Sequence, residues 1–120
     1  MYESGENYLE TILILKQKNS CVRSIDIARE LNYSKPSVSR AVGILKESGF
    51  IVVDDEGYIE LTEKGKIKAE AIYERHRILT EFLEKIANVP KEIAEEDACR
   101  IEHILSAETF QGIKKYMKSR

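Results

Sequence analysis

The run Ser34-Lys35-Pro36-Ser37-Val38-Ser39-Arg40-Ala41-Val42-Gly43-Ile44-Leu45-Lys46-Glu47-Ser48-Gly49 identifies the architecture, together with the residues immediately after it. Val38, Ala41, Val42 and Leu45 recur at helical spacing and make one apolar face. Ser34 suits the N-cap, Pro36 is tolerated in the first turn, and Gly49 stops the helix just after Ser48. The pattern then changes. Phe50-Ile51-Val52-Val53 and Tyr58-Ile59-Glu60-Leu61 flank Asp54-Asp55-Glu56-Gly57, which predicts strand, turn, strand.

Upstream, Ser24 caps a helix over Ile25 to Leu31, with Asp26 in its first turn, and Asn32-Tyr33 turns the chain toward Ser34. Asn7 to Lys16 carries Tyr8, Leu9, Ile12, Leu13 and Leu15 at helical spacing, and Lys18-Asn19-Ser20 ends that helix. Three helices followed by a hairpin is the order of a winged helix-turn-helix, whose second and third helices form a DNA-reading pair. Downstream, Thr62 caps a long helix to about Ala87, with Ile72, Leu79, Leu83 and Ile86 on its apolar stripe. Asn88-Val89-Pro90 breaks it, a further helix carries Cys99, and Ser106 begins a last one with Phe110, Ile113 and Met117 on one face. The expected fold class is therefore mainly α: a winged helix-turn-helix over 1–62, then a helical domain over 63–120.

With 33% charged and 42% apolar residues, the chain has the composition of a folded domain. At 120 residues its core is modest and is helped by oligomerisation or a bound ligand. A formal net charge of −2 excludes a wholesale polybasic binder, so any nucleic-acid surface is local. Leu31 to Lys46 holds Lys35, Arg40 and Lys46 with no acid, whereas Lys91 to Glu102 holds Glu92, Glu95, Glu96, Asp97 and Glu102 against two bases. One segment suits an anion and the other a cation. Two cysteines, no signal peptide and no membrane-spanning apolar run lead to the expectation of a reduced, cytoplasmic protein with no membrane partner.

On the Ser34 helix, Pro36, Ser39, Arg40, Gly43 and Lys46 project away from the apolar face, and Lys35 is counted with them as an expected DNA contact. Arg40 can bond a guanine edge or a phosphate, Ser37 and Ser39 can bond phosphate oxygens, and Gly43 leaves room for the backbone to approach. Ser34 and the free N–H groups of the first turn favour a phosphate. An ordinary solvated basic helix is the competing account, and the hairpin directly after it favours DNA. Lys64, Lys66 and Lys68 are equally readable as phosphate contacts or as a solvated face.

Cys99, Glu102 and His103 stand at i, i+3 and i+4 in Glu95-Glu96-Asp97-Ala98-Cys99-Arg100-Ile101-Glu102-His103-Ile104-Leu105. Read as one helix, this run puts Ile93, Ala94, Ala98, Ile101, Ile104 and Leu105 on a core stripe and the thiol, carboxylate and imidazole on another. Thiolate, carboxylate and imidazole together suit a first-row divalent ion. His76, among Ile72, Leu79 and Leu83, is most simply a buried core histidine, and His103 alone is most simply solvated. If the two helices pack antiparallel, the histidines can meet. Asn7 and Glu10, at i, i+3 on the first helix (about 4–17), can add oxygen ligands, while Glu3 and Glu6 are read as facing solvent. Neither a zinc-finger spacing nor HExxH is present.

The order of elements resembles the diphtheria-toxin-repressor family of metal-dependent repressors, which includes the manganese-transport regulators. The resemblance is carried by Ser34-Lys35-Pro36-Ser37-Val38-Ser39-Arg40, Leu61-Thr62-Glu63-Lys64-Gly65, Arg75-His76-Arg77 and Ala98 to Ser106. It covers nearly the whole chain, and its Cys-x-x-Glu-His run is specific. It implies a homodimer whose winged helices bind a palindromic operator in double-stranded DNA and whose C-terminal helices dimerise and hold the metal. The sequence is expected to represent the short, two-domain form, ending at Arg120 without the family's barrel-like C-terminal domain.

By the same resemblance His76, Glu102 and His103 match ligand positions shared by both branches of the family. Cys99 matches the iron-type branch, where the manganese type has a carboxylate; Glu10 matches the manganese type. Asn7 stands where the iron branch has Met and the manganese branch Asp. Glu95 and Thr80 align with ancillary positions, Thr80 replacing an expected Glu. A thiolate favours softer ions, so Fe²⁺ is expected over Mn²⁺, with Zn²⁺, Co²⁺ or Ni²⁺ able to substitute in vitro. The expected function is a metal-dependent repressor controlling metal-homeostasis genes, with no small-molecule substrate. A metal-independent winged-helix regulator is the rival. An enzyme with Cys99 as nucleophile and His103 as base lacks an oxyanion hole and an orienting third residue.

Overall fold

The structure, a computed structural model, describes residues 3–119; the side chain of Glu3, expected to face solvent, lies outside the described residues. Among the described residues the elements run α1 (Glu3–Lys18), α2 (Ser24–Leu31), α3 (Lys35–Glu47), β1 (Ile51–Val53), β2 (Ile59–Leu61), α4 (Glu63–Lys85), α5 (Lys91–Ile101) and α6 (Ala107–Lys118). The molecule is mainly helical, with an N-terminal winged helix-turn-helix. Its chain forms two compact units, residues 1–70 and 71–120, with the division inside α4. No helix among the described residues is long and apolar enough to cross a membrane.

In the first unit the apolar spacing dictates the packing. Leu9, Ile12, Val22, Ile27, Val38, Ile51 and Ile59 are almost wholly removed from solvent, each contributing roughly 1.5–3 kcal/mol of burial. α1 supplies Tyr8, Leu9, Ile12, Leu13 and Leu15, and α3 supplies Val38, Val42 and Leu45, the faces that periodicity predicts. Ser34 caps α3, accepting from the Ser37 N–H at 3.3 Å. The N-cap of α2 is Arg23 rather than Ser24: its N–H donates to Asp26 Oδ2 at 2.8 Å, which starts the helix one residue earlier than the sequence suggested. Asn32, in the left-handed region (φ 57°), closes α2 and turns the chain toward α3.

The wing is an antiparallel pair with Ile51 opposite Leu61 and Val53 opposite Ile59. The Ile59 N–H also donates to the Val22 carbonyl at 2.7 Å, tying the wing to the α1–α2 connection. Arg23 lies over the Tyr58 ring at 4.4 Å. Thr62 caps the first turn of α4, accepting from Gly65 N–H at 3.1 Å while its hydroxyl donates to the Gly49 carbonyl at 2.6 Å. Gly65 is required there: a Cβ would stand 1.9 Å from the Phe50 carbonyl oxygen.

In the second unit Asn88 (φ 59°) ends α4 in the left-handed conformation and Pro90 precedes α5. The run from Glu95 to Leu105 is not one helix. α5 stops at Ile101, and the N–H groups of Ile104 and Leu105 both donate to the Ile101 carbonyl at 3.1 Å, closing a tight turn. The turn leads into Ser106, which caps α6 by accepting from Thr109 N–H at 3.1 Å. Ile93 and Ile104, expected on the core stripe, are exposed, the latter by 73%, whereas Ala94 and Ala98 are buried.

Candidate functional site

The sequence places Glu102 and His103 on an outward stripe, and the structure corrects this. Glu102 stands four residues after Ala98 and eight after Ala94, on the buried face of α5, and is only 2% exposed. As the C-cap of α5 it lies at the start of the turn, which swings His103 inward until its side chain is 1% exposed. His76, on α4, is half-buried with its side chain 24% exposed. Cys99, expected to share a stripe with Glu102 and His103, is exposed on α5.

Three groups of this unit therefore converge. Glu102 Oε1 is 3.6 Å from His76 Nδ1 and 3.5 Å from His103 Nε2. Neither carboxylate oxygen accepts a hydrogen bond among the described residues, although the side chain is 0% exposed. A buried carboxylate costs several kcal/mol, on the order of 3–5, when it lacks a compensating partner. The two nitrogen–oxygen distances exceed those of a good hydrogen bond. They are close to the separation of two atoms that share a first-row ion, since ligands bound at about 2.0–2.2 Å stand roughly 3–3.5 Å apart. Two imidazoles and one carboxylate are also the donor types such an ion takes. The residues present fit a divalent metal.

The other expected ligands fall as follows. Glu10, in the first unit, is buried on α1, with Asn7 half-buried one turn before it. Glu6 does not face solvent as expected: it is largely covered and pairs with Lys68 at 3.3 Å. Glu95 is exposed on α5. Thr80, at the other ancillary position, donates its hydroxyl to the His76 carbonyl at 2.7 Å and so is engaged with its own helix.

On α3 the structure leaves Ser34, Lys35, Pro36, Ser39, Arg40, Gly43 and Lys46 exposed along one side, with Ser37 partly covered. Ser34 and Ser37 satisfy each other, hydroxyl to hydroxyl, at 2.9 Å. A pocket of about 280 Å³ lined by Ser24, Ile25, Lys35 and Ser39 opens beside the starts of α2 and α3. Helix N-termini and a lysine there favour an anion. Ser24 and Ile25 carry no sequence signal for this face beyond the helix start itself, because only the fold sets the beginning of α2 beside Lys35 and Ser39. Lys64 stays exposed and is engaged locally, donating to the Ser48 carbonyl at 2.9 Å with its Nζ 4.4 Å from the centre of the Phe50 ring. Tyr8 stacks edge-on against Tyr33 at 5.9 Å, linking α1 to the turn before α3. Burial pushes the Tyr8 phenol pKa up, Tyr33 adds to this, and Arg40 opposes it.

Comparison with known proteins agrees with these two halves. Residues 1–59 match the model of the iron dependent repressor N-terminal DNA binding domain, and residues 62–120 that of the iron dependent repressor metal binding and dimerisation domain. An HTH-type transcriptional regulator of Methanocaldococcus jannaschii is 32% identical over 119 residues, covering 98% of this chain and 95% of that protein. The iron-dependent repressor IdeR of Mycobacterium tuberculosis is 30% identical over 119 residues, covering 99% of this chain but 52% of its own length. The solved structure of the manganese regulator SloR superposes with a TM-score of 0.85 at 28% identity, over 97% of this chain and 54% of that one. The chain thus spans about half the length of these last two proteins.

Proposed function

The chain belongs to the iron-dependent repressor family of metal-dependent transcriptional repressors, and on that footing we propose that it binds a palindromic operator as a homodimer when loaded with a divalent metal. The observation that carries this reading is the Glu102 carboxylate, buried between the imidazoles of His76 and His103 with no hydrogen-bond donor among the described residues. A divalent ion bound there would set a positive charge against this buried carboxylate.

In the proposal His76, Glu102 and His103 hold the ion, with Cys99 and Glu10 completing the set and Asn7 offering a neutral oxygen. Glu95 and Thr80 leave an ancillary site without the Glu that the resemblance expects at Thr80, so one metal per protomer is proposed. The buried carboxylate of Glu10 sits on α1, whose Tyr8, Leu9 and Ile12 are part of the winged-helix core. Ligation through α1 links metal occupancy to the placing of α3, and in a dimer to the spacing of two α3 helices along successive major grooves. The metal acts by its differential affinity for the DNA-competent arrangement. The proposed preference for Fe²⁺ over Mn²⁺ rests on the Cys99 thiolate. Titrating metal-stripped protein with Fe²⁺, Mn²⁺ and Zn²⁺ in parallel tests it; equal or Mn²⁺-favouring affinities would reverse the order.

A further inference from the structure

Arg75 precedes His76 on α4 and reaches the turn that carries the other two candidate ligands. Its Nη1 donates to the Glu102 carbonyl at 3.0 Å and to the Leu105 carbonyl at 3.0 Å. The guanidinium carbon also lies 5.1 Å from the centre of the buried Phe110 ring on α6. One side chain thus touches the end of α5, the connecting turn and α6.

The turn needs such a tie. It lies beyond the last residue of α5, and Ile104 at its apex has no apolar anchorage, being largely exposed. Its buried side chains are those of Glu102 and His103, which are polar and gain nothing from apolar surroundings. The carbonyls at the C-terminal end of α5 carry the negative end of the helix dipole, where a guanidinium is favoured.

We infer that Arg75 is a positioning residue of the metal centre: its guanidinium fixes the α5–α6 turn so that Glu102 and His103 are held at ligand spacing from His76. The inference rests on the reading of this centre as a metal site. Arg75 touches no ligand atom, and it acts through the backbone that presents the ligands. Partners of this kind govern affinity because a ligand set held in place loses less freedom on binding.

The test is Co²⁺ binding to the full-length, metal-stripped protein, followed by its visible spectrum, together with thermal unfolding without metal. Arg75→Met, which keeps the length of the stem but donates nothing, is expected to weaken Co²⁺ binding about 10–100-fold and to alter the d–d bands. Because one nitrogen serves both carbonyls, Arg75→Lys is expected to restore most of that affinity. A folded Arg75→Met protein with wild-type affinity and spectrum would overturn the inference, even with a lowered Tm. Should Arg75→Met not fold, the shorter, neutral Arg75→Gln carries the same comparison, and wild-type affinity in it has the same consequence. Wild-type protein that binds no Co²⁺ would instead overturn the metal reading itself, and this inference with it.

Discussion

The Glu102 carboxylate and the imidazole of His103, neighbours in sequence, face one another at 3.5 Å with both side chains closed off from solvent. Adjacent residues within a helix point about 100° apart, so this approach depends on α5 ending at Ile101. The end of α5 builds the centre: Glu102 continues the buried face of Ala94 and Ala98, and His103 turns in just beyond it. His76 approaches the same oxygen from α4 at 3.6 Å.

Glu102→Gln keeps the shape of the side chain and removes its charge. Saturating metal stabilises a native state by about 2.7 kcal/mol when ligand is a hundredfold above Kd. A rise of Tm with Mn²⁺ or Fe²⁺ is expected in the wild type and not in the variant, while the metal-free variant is at least as stable as the metal-free wild type. Differential scanning calorimetry with and without metal reads both; a retained metal-dependent rise in Glu102→Gln would remove Glu102 from the ligand set.

Arg40 and Lys46 lie on the exposed side of α3 and are expected to act differently. Arg40→Ala should cost roughly 1–3 kcal/mol of specific binding and relax the base preference at one operator position. Lys46→Ala should weaken binding to all sequences alike and lower the salt slope by about one. Fluorescence anisotropy over a series of salt concentrations and base substitutions separates them. Indifference of both would place DNA on another face.

Gly65→Ala forces a methyl against the Phe50 carbonyl oxygen at 1.9 Å, a backbone atom already bonded to the Thr62 N–H and unable to yield cheaply. A loss of about 1–3 kcal/mol is expected from such overpacking, measured by urea unfolding. Wild-type stability would show that the α4 start sits farther from Phe50.

Cys99→Asp exchanges the thiolate for a carboxylate. The ratio of Fe²⁺ to Mn²⁺ affinity is expected to fall, since the softer donor has gone. An unchanged ratio would detach the proposed iron preference from Cys99.

The winged helix was legible because its signals are local. Val38, Val42 and Leu45 repeat at helical spacing, Ser34 caps, and the apolar pairs around Asp54 to Gly57 bound a turn. The centre was legible in its residue types but not in its geometry. A single long helix through Leu105 sets Glu102 among outward residues, yet Ala94, Ala98 and Glu102 at i, i+4 and i+8 already share a face. Neither Gly nor Pro marks the end at Ile101, so the inward turn of His103 had no local sign. Arg75 had none either, since its acceptors lie 27 and 30 residues further along the chain.

Metal, in the proposed function, switches DNA binding through the centre at Glu102. A duplex selected from a random library by the Fe²⁺-loaded protein is titrated against that protein, against the chelator-treated protein, and against Glu102→Gln. High affinity is expected with metal, with a loss of at least the order of tenfold on chelation, corresponding to about 1.4 kcal/mol of coupling, and no response to metal in Glu102→Gln. Equal affinity with and without metal in the wild type would refute the switch.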